Sequence, residues 1–296
     1  MSHNIVFEEG SLVHLTVSVW GGRKKLPSKE LHVEAHPDFV RGTKYLVDRD
    51  TLKPIEQARN SARGYLRFHS LPFPVTGICF IPKTMVERID AKLNLYKEEF
   101  YRNVWGFVAQ YENAKTIARL NLNGLFSAED YPEDVASTFD FSWQFFSMTA
   151  PGKMSILNRE LLKREEERFV RMMTEFRENA VNVLRLRFSE MVDRIVDRLS
   201  GEEKRFKNST IGNLNEFLET FNHLNINNDM ELQNEVNRCK EILAGVDPNL
   251  LRSDMEFRKG VAKKMTEVQV QVEAMMENRP KRLLWMEPEE ETKAAA

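Results

Sequence analysis

The stretch VERIDAKLNLYKEEFYRNVWGFVAQYENAKTIA, residues 86–118, places apolar side chains three or four residues apart along its whole length. The positions are Val86, Ile89, Leu93, Tyr96, Phe100, Val104, Phe107, Tyr111, Ala114 and Ala118. This spacing is typical of one face of an α-helix, which turns once in about 3.6 residues. We therefore predict an amphipathic helix of roughly nine turns, from near Lys83 to about Leu120.

A second stripe with the same spacing follows residue 155 and ends where Ser200-Gly201 interrupts it. The stripe consists of Leu162, Phe169, Met173, Phe176, Ala180, Leu184, Phe188, Met191, Ile195 and Leu199. A long helix is stabilised mainly by burying its apolar face against a partner. We therefore predict that helix 86–118 packs antiparallel against helix 155–199 as a long, coiled-coil-like hairpin.

Further helices are predicted on both sides of this hairpin. Three follow it, at about 202–224, 230–244 and 254–278, and a shorter one precedes it at 52–70. Asp229 stands directly before one of them and is a candidate N-cap, because its carboxylate can accept a hydrogen bond from a free backbone N–H.

Three stretches predict β-strands; the first and third alternate apolar and polar residues, and the second is a short apolar run closed by Pro82. They are LVHLTVSVW at 12–20, VTGICFI at 75–81 and FDFSWQFF at 139–146. The predicted fold is therefore mainly α, with a long helical hairpin, additional helices and a small sheet near the N-terminus. We divide it into a small α/β region at 1–82, with its sheet completed by 139–146, an elongated helical region at 83–280, and a flexible acidic tail at 281–296.

The composition gives no indication of nucleic-acid or membrane binding by the chain as a whole. Lys and Arg number 43 and Asp and Glu 45, for a net charge of -2, so no global field attracts phosphates. No apolar run approaches the length of a membrane span, and MSHNIVFEEG lacks the features of a signal peptide. Cys79 and Cys239 form no CxxC pair and predict reduced thiols. We expect a cytoplasmic protein.

The residues that usually carry catalysis are not arranged for it in this sequence. There is no GxxxxGK[ST] phosphate loop and no GxSxG nucleophile turn. His32 and His36 have the spacing of two metal ligands on a helix, but Val33 replaces the glutamate of the zincin motif and Pro37 ends any helix there. We predict no catalytic, metal-binding or cofactor-binding residues, and no enzyme.

The most distinctive local motif is WGGRKKL at 20–26. Gly21 and Gly22 allow the positive φ values that a tight turn needs, and we expect Trp20 and Leu26 to anchor a turn from which Arg23, Lys24 and Lys25 project. Such a turn could bind an anion or an acidic partner, or it could be an ordinary turn with a solvated basic exit.

A second candidate for partner binding lies in the tail. Leu284 and Trp285 form the end of an apolar Leu-Leu-Trp run with basic residues before it and acidic residues after it. This is the composition of a short docking peptide, and equally of a chain end that packs its tryptophan on the body.

The apolar strand running into Trp20-x-Gly22-Arg-Lys-Lys-Leu26 resembles a known but uncharacterised family. It is a domain-of-unknown-function family of phage, plasmid and integrative-element proteins. Further matching positions are Gly42, Lys44, Asp48, Leu52, Pro54, Arg63, the segment from Gly77 to Pro82, and FDFSWQFF at 139–146. The resemblance covers roughly residues 12–200.

What this resemblance implies is a context and no catalytic residue. Genes of the family lie beside MoxR-type, cobaltochelatase-like AAA+ ATPases, often with a gene for a von Willebrand A-domain protein. The expected function is therefore that of a non-enzymatic helical adaptor that works with such an ATPase. Two alternatives stay open: a nucleic-acid-associated protein that uses Arg23, Lys24 and Lys25, and a self-assembling homo-oligomeric scaffold.

Overall fold

The computed structural model describes residues 10–26, 36, 39–148, 150–151, 158–200, 208–247 and 249–277. The helices are α1 (Arg49–Phe68), α2 (Val86–Leu122), α3 (Arg159–Ser200), α4 (Asn208–Leu224), α5 (Met230–Leu243), α6 (Leu250–Ser253) and α7 (Met255–Glu277). The strands are β1 (Gly10–Ser18), β2 (Arg23–Leu26), β3 (Gly42–Tyr45), β4 (Leu71–Pro72), β5 (Ile78–Pro82) and β6 (Asp140–Phe146). The fold is mainly α with a small antiparallel sheet near the N-terminus, which confirms the predicted fold class.

The strands form two separate sheets. Four of them follow the order β4-β5-β1-β6, and β2 pairs with β3 in a two-stranded ribbon. The stretch at 139–146 that alternates in the sequence is thus β6, which lies beside β1. Among the described helices, none carries an apolar stretch long enough to cross a lipid bilayer.

The chain divides into two compact units that are built from alternating segments. The first unit contains Met1–Leu12, His69–Val86 and Phe146–Ala296, and the second contains Val13–Phe68 and Glu87–Phe145. Residue 82, near which the sequence analysis draws its boundary, falls inside a segment of the first unit. Helix α2 from Glu87 onward lies in the second unit, and α3 lies in the first.

In the first unit α3 packs along α7, and the two helices run antiparallel. A guanidinium nitrogen of Arg185 donates to the carbonyl oxygen of Met275 at 3.2 Å, and the Gln269 amide donates to Asp193 at 3.0 Å. Residue numbers therefore rise along α3 as they fall along α7. Within its unit, therefore, helix 155–199 has α7 as a partner, which the sequence analysis did not assign to it, because a period identifies an apolar face but not every helix that covers it.

The predicted stripes themselves are buried. In α3 the buried apolar side chains are Phe169, Met173, Phe176, Ala180, Leu184, Phe188, Val192, Ile195 and Leu199, whereas Leu162, the first position of the predicted stripe, is half-buried. Val192 occupies the place predicted for Met191, which is half-buried. The α7 residues that are buried are Val261, Met265, Val268 and Val272.

One guanidinium joins three helices of the first unit. Arg185 of α3 binds Asp229 through Nε at 2.7 Å and Nη2 at 3.0 Å, and Nη2 also reaches Glu231 at 3.0 Å. Asp229 is the N-cap of α5, as predicted, since its side chain accepts from the Leu232 backbone N–H. Burial raises the pKa of Asp229, but the Arg185 guanidinium and the backbone donors outweigh burial, so the pKa lies below its ordinary value.

In the second unit, the apolar stripe of α2 packs against aromatic side chains at and before the start of β6. The Phe100 ring lies 5.5 Å from that of Phe141 and 6.4 Å from that of Phe139, and Phe107 lies 5.9 Å from Phe139. Aromatic pairs at these distances add stability beyond their buried area. The cluster fixes the start of β6 against the middle of α2.

We expect Phe176→Ala to lower the free energy of unfolding by about 3–5 kcal/mol, because it leaves a cavity in a closed core. The Phe176 side chain is fully buried, and its ring lies 5.3 Å from those of Phe73 and Phe80. Urea unfolding followed by circular dichroism measures the change. Val170→Ala, at a side chain 40% exposed on the same helix, is the control and should stay within about 0.5 kcal/mol. Equal effects of the two variants would contradict this account of the core.

Candidate functional site

The basic motif of the sequence forms a strand rather than the expected turn. Arg23–Leu26 is β2, and it pairs antiparallel with β3 so that Lys24 faces Lys44 and Arg23 faces Tyr45. Side chains alternate between the two faces of a strand, and directly opposed residues share a face. The three cations are therefore divided: Lys24 lies on one face of the ribbon, and Arg23 and Lys25 lie on the other.

Gly22 determines the bend of the backbone directly before strand β2 of this ribbon. Its φ of 57° is in the left-handed region, where a residue without Cβ is favoured. A Cβ at this position would lie 2.8 Å from Leu52 Cδ1 and 3.1 Å from Val47 Cγ2. The carbonyl oxygen of Gly22 accepts from the Leu46 backbone N–H at 2.7 Å. Both the backbone angle and the close packing therefore require glycine.

Trp20 holds the residue before the ribbon against α2. Its ring centroid lies 5.9 Å from that of Phe107 and 5.8 Å from that of Tyr111, the latter in an edge-on arrangement. Trp20 and Leu26 are both half-buried. The first residue of the motif, Trp20, is thus attached to α2 through aromatic contacts, and its last residue, Leu26, is partly covered.

The inner face of the ribbon is fastened by a buried carboxylate. Asp130 lies 2.6 Å from Lys44 Nζ and 3.0 Å from Lys24 Nζ, and Lys44 also donates to the Leu125 carbonyl oxygen at 2.6 Å. The side chains of Asp130 and Lys44 are each 9% exposed, whereas that of Lys24 is 54% exposed. Burial raises the pKa of Asp130, but Lys44 and Lys24 outweigh it and hold the pKa below its ordinary value.

A buried tyrosine beside this carboxylate attaches the same segment to the end of β3. Tyr131 donates its hydroxyl to the Leu46 carbonyl oxygen at 2.8 Å. Burial and the neighbouring Asp130 charge raise the pKa of Tyr131, so the hydroxyl stays a donor at neutral pH. The segment after α2 thus holds the ribbon through one ion-pair cluster and one neutral hydrogen bond.

The outer face of the ribbon is exposed and basic. Its side chains are Arg23, Lys25, Thr43 and Tyr45, all of them exposed. The Arg49 guanidinium lies 5.2 Å from the Tyr45 ring centroid and adds a third positive charge at one end. We call this surface the basic ribbon. It can bind an anionic surface, but only two of the three predicted cations project from it, because Lys24 is paired with Asp130.

Sequence reasoning missed Asp130 and Tyr131 entirely, and it named Lys44 only as a position of the family resemblance. Asp130 lies in a short 3-10 turn more than 80 residues after Lys24 and Lys44, and no local sequence pattern predicts an ion pair over such a separation. The other predicted partner-binding residues, Leu284 and Trp285, lie outside the described residues, as do His32 and Val33. Within the described ranges, no group of three His, Cys, Asp or Glu side chains could hold a metal ion.

Comparison with known families matches residues 8–250 to the family described as "Protein of unknown function (DUF3150)". The match extends over most of the 296 residues and includes the ribbon, Asp130 and the helices α1 to α5. No curated protein and no solved structure matches the chain.

We expect Gly22→Ala to lower the free energy of unfolding by about 1–3 kcal/mol, because alanine is strained at positive φ and its Cβ collides with Leu52. Gly21→Ala is the matched control: Gly21 is exposed, and a Cβ there meets only the Arg23 side chain at 3.8 Å. Thermal unfolding of both variants tests the difference. A Gly22→Ala protein as stable as the Gly21→Ala protein would show that the bend does not need glycine.

We expect Asp130→Asn to cost about 1–3 kcal/mol of stability at pH 7, because it leaves the buried Lys44 ammonium without its carboxylate. Since the folded-state pKa of Asp130 is lowered, its contribution is complete above the unfolded value of about 4 and is lost as the pH falls through the folded value. The difference from wild type should therefore shrink below about pH 4. Glu129→Gln, at the exposed neighbouring carboxylate, should show neither effect in the same pH series.

Proposed function

We propose that this chain, which belongs to the DUF3150 family, is a non-enzymatic interaction protein of a phage or mobile element that works with a MoxR-type AAA+ ATPase. The ATPase is the partner implied by the family resemblance, and a von Willebrand A-domain protein is the second. The single observation that carries an interaction role is the basic ribbon, whose outer cations are exposed while its inner face is fastened to the body.

The ribbon is built like a recognition surface because its shape is fixed before any partner binds. Gly22 sets the bend, Asp130 forms ion pairs with both inner lysines, and Tyr131 binds the backbone of Leu46, directly after β3. Arg23 and Lys25 are two residues apart on one face and so about 7 Å apart along the strand. A preorganised surface loses less conformational entropy on binding than a flexible one.

The proposed contact is electrostatic and sensitive to salt. Exposed ion pairs contribute about 0–1 kcal/mol each and are screened by salt. Arg23 and Lys25 would therefore supply a modest part of the affinity and much of the orientation on an acidic patch of the ATPase.

A nucleic-acid role for the same surface has one specific observation in its favour. A two-stranded antiparallel ribbon fits the major groove of DNA, and Arg, Lys, Thr and Tyr side chains commonly contact phosphates or bases. The pairing of Lys24 with Asp130 weighs against it, since it leaves fewer cations for the phosphates. We keep nucleic-acid binding as the alternative that the following experiment separates.

We expect Arg23→Glu/Lys25→Glu to weaken binding of the purified protein to a MoxR-type AAA+ ATPase from the same genome about tenfold at low ionic strength, with less effect at high salt. Surface plasmon resonance with the full chain measures the affinity, and unfolding curves check that the fold is unchanged. Lys263→Glu/Lys264→Glu, an equal charge change at two exposed positions of α7, should leave the affinity as in wild type.

The same variants distinguish the two candidates. If the chain does not bind the ATPase but binds duplex DNA in a way that Arg23→Glu/Lys25→Glu abolishes, the adaptor proposal is wrong and the alternative is supported. If the two double variants reduce ATPase binding equally, the effect is one of net charge and the basic ribbon is not the contact.

A further inference from the structure

Strand β6 lies at the end of the four-stranded sheet. In the order β4-β5-β1-β6, β1 is its one strand neighbour in the part of the chain that the structure describes. β6 is seven residues long, DFSWQFF, and contains no proline, glycine or lysine. A strand at the end of a sheet presents N–H and C=O groups along its outer edge, and proteins usually protect such an edge with lysine, proline, a bulge or a very short strand. β6 has neither lysine nor proline, and its single charged side chain is Asp140, at its first position.

Three of the four aromatic side chains of β6 are only partly covered. Phe141 is buried beneath the strand, but Trp143, Phe145 and Phe146 are half-buried. The Trp143 indole is held in place, since its Nε1 donates to Asp90 Oδ1 at 2.8 Å and Lys97 Nζ lies 5.6 Å from its ring centroid. A fixed, half-exposed tryptophan in an end strand is a typical anchor for association.

The opposite face of β6 is polar and small. Asp140, Ser142 and Gln144 are exposed, and the one charge among them, Asp140, accepts a hydrogen bond from the Ser142 hydroxyl at 2.8 Å. This face offers neither a bulky obstacle nor a repulsive positive charge to an incoming strand. The approach of another strand is therefore unhindered by the side chains of β6 itself.

We propose that β6 pairs antiparallel with β6 of a second copy of this chain, in the register that places the two Trp143 residues opposite each other. This goes beyond the adaptor role, which concerns the basic ribbon. The β6 sequence is self-complementary in this register: Phe141 is opposite Phe145 on the aromatic face, and Ser142 is opposite Gln144 on the polar face. Asp140 falls opposite Phe146, so no like charges meet.

A second copy of the chain suits this edge because the proposed contact is two-fold symmetric. A two-fold axis at Trp143 pairs the β6 edge of one copy with the same edge of the other, so no β6 edge remains for a third copy and association stops at a dimer. Opposed aromatic side chains on one face of a strand pair stabilise it, and the new backbone hydrogen bonds occupy the free edge. One strand pair buries much less than the roughly 1,600 Å² of a standard interface, so the dimer is weak, with a dissociation constant in the micromolar range.

The register is tested by two double variants that differ only in the residue at position 144, which is lysine in one and glutamate in the other. Ser142→Lys/Gln144→Lys places lysine opposite lysine twice across the proposed two-fold axis and should prevent pairing. Ser142→Lys/Gln144→Glu places lysine opposite glutamate twice and should preserve it. Both pairs of changes lie at exposed positions and remove the same Ser142–Asp140 hydrogen bond, so their effects on folding are matched.

Sedimentation of the full chain over a range of concentrations measures the dimerisation. We expect wild type and Ser142→Lys/Gln144→Glu to form a species of twice the 34.6 kDa chain mass. The dissociation constant of Ser142→Lys/Gln144→Lys should be at least about tenfold higher. The proposal is overturned if wild type remains a monomer at hundreds of micromolar, roughly the upper end of weak association. It is also overturned if the two variants dimerise equally well.

Discussion

The long helices α2 and α3 each carry an apolar stripe that water would contact along its full length if the helix stood alone. Covering these stripes is the constraint on which the other elements depend. In α2, Phe100 and Phe107 are covered by aromatic side chains at and before the start of β6. In α3, the stripe from Phe169 to Leu199 is buried in the first unit, where α7 runs antiparallel beside it.

Once the stripes are covered, two buried or partly buried carboxylates join segments that are distant in sequence. Asp229 binds Arg185 and caps α5, and Asp130 binds Lys44 and Lys24 beneath the ribbon. Both carboxylates have lowered pKa values because the partner charges and donors outweigh the cost of burial. Each interaction specifies which segment lies against which, a selectivity that apolar contacts alone provide less well.

The candidate site follows from the second of these interactions. Asp130 forms ion pairs with Lys24 and Lys44 on the inner face of the ribbon, and Arg23, Lys25 and the nearby Arg49 make its outer face basic. The proposed pairing edge of β6 differs from the ribbon in chemistry, because its side chains are aromatic or uncharged except for Asp140.

The sequence by itself determined the helices and their buried faces. The 3.6-residue period placed α2 within a few residues of Val86–Leu122, and Asp229 was identified as an N-cap from its position alone. Local signals of this kind depend on neighbouring residues, so the sequence contains them in full. The tertiary structure alone decided that α3 packs with α7 and that Arg23–Leu26 becomes a strand. It also decided that Lys24 lies on the opposite face from Arg23 and Lys25 and pairs with Asp130, because both Asp130 and the pairing strand, Gly42–Tyr45, come from other parts of the chain.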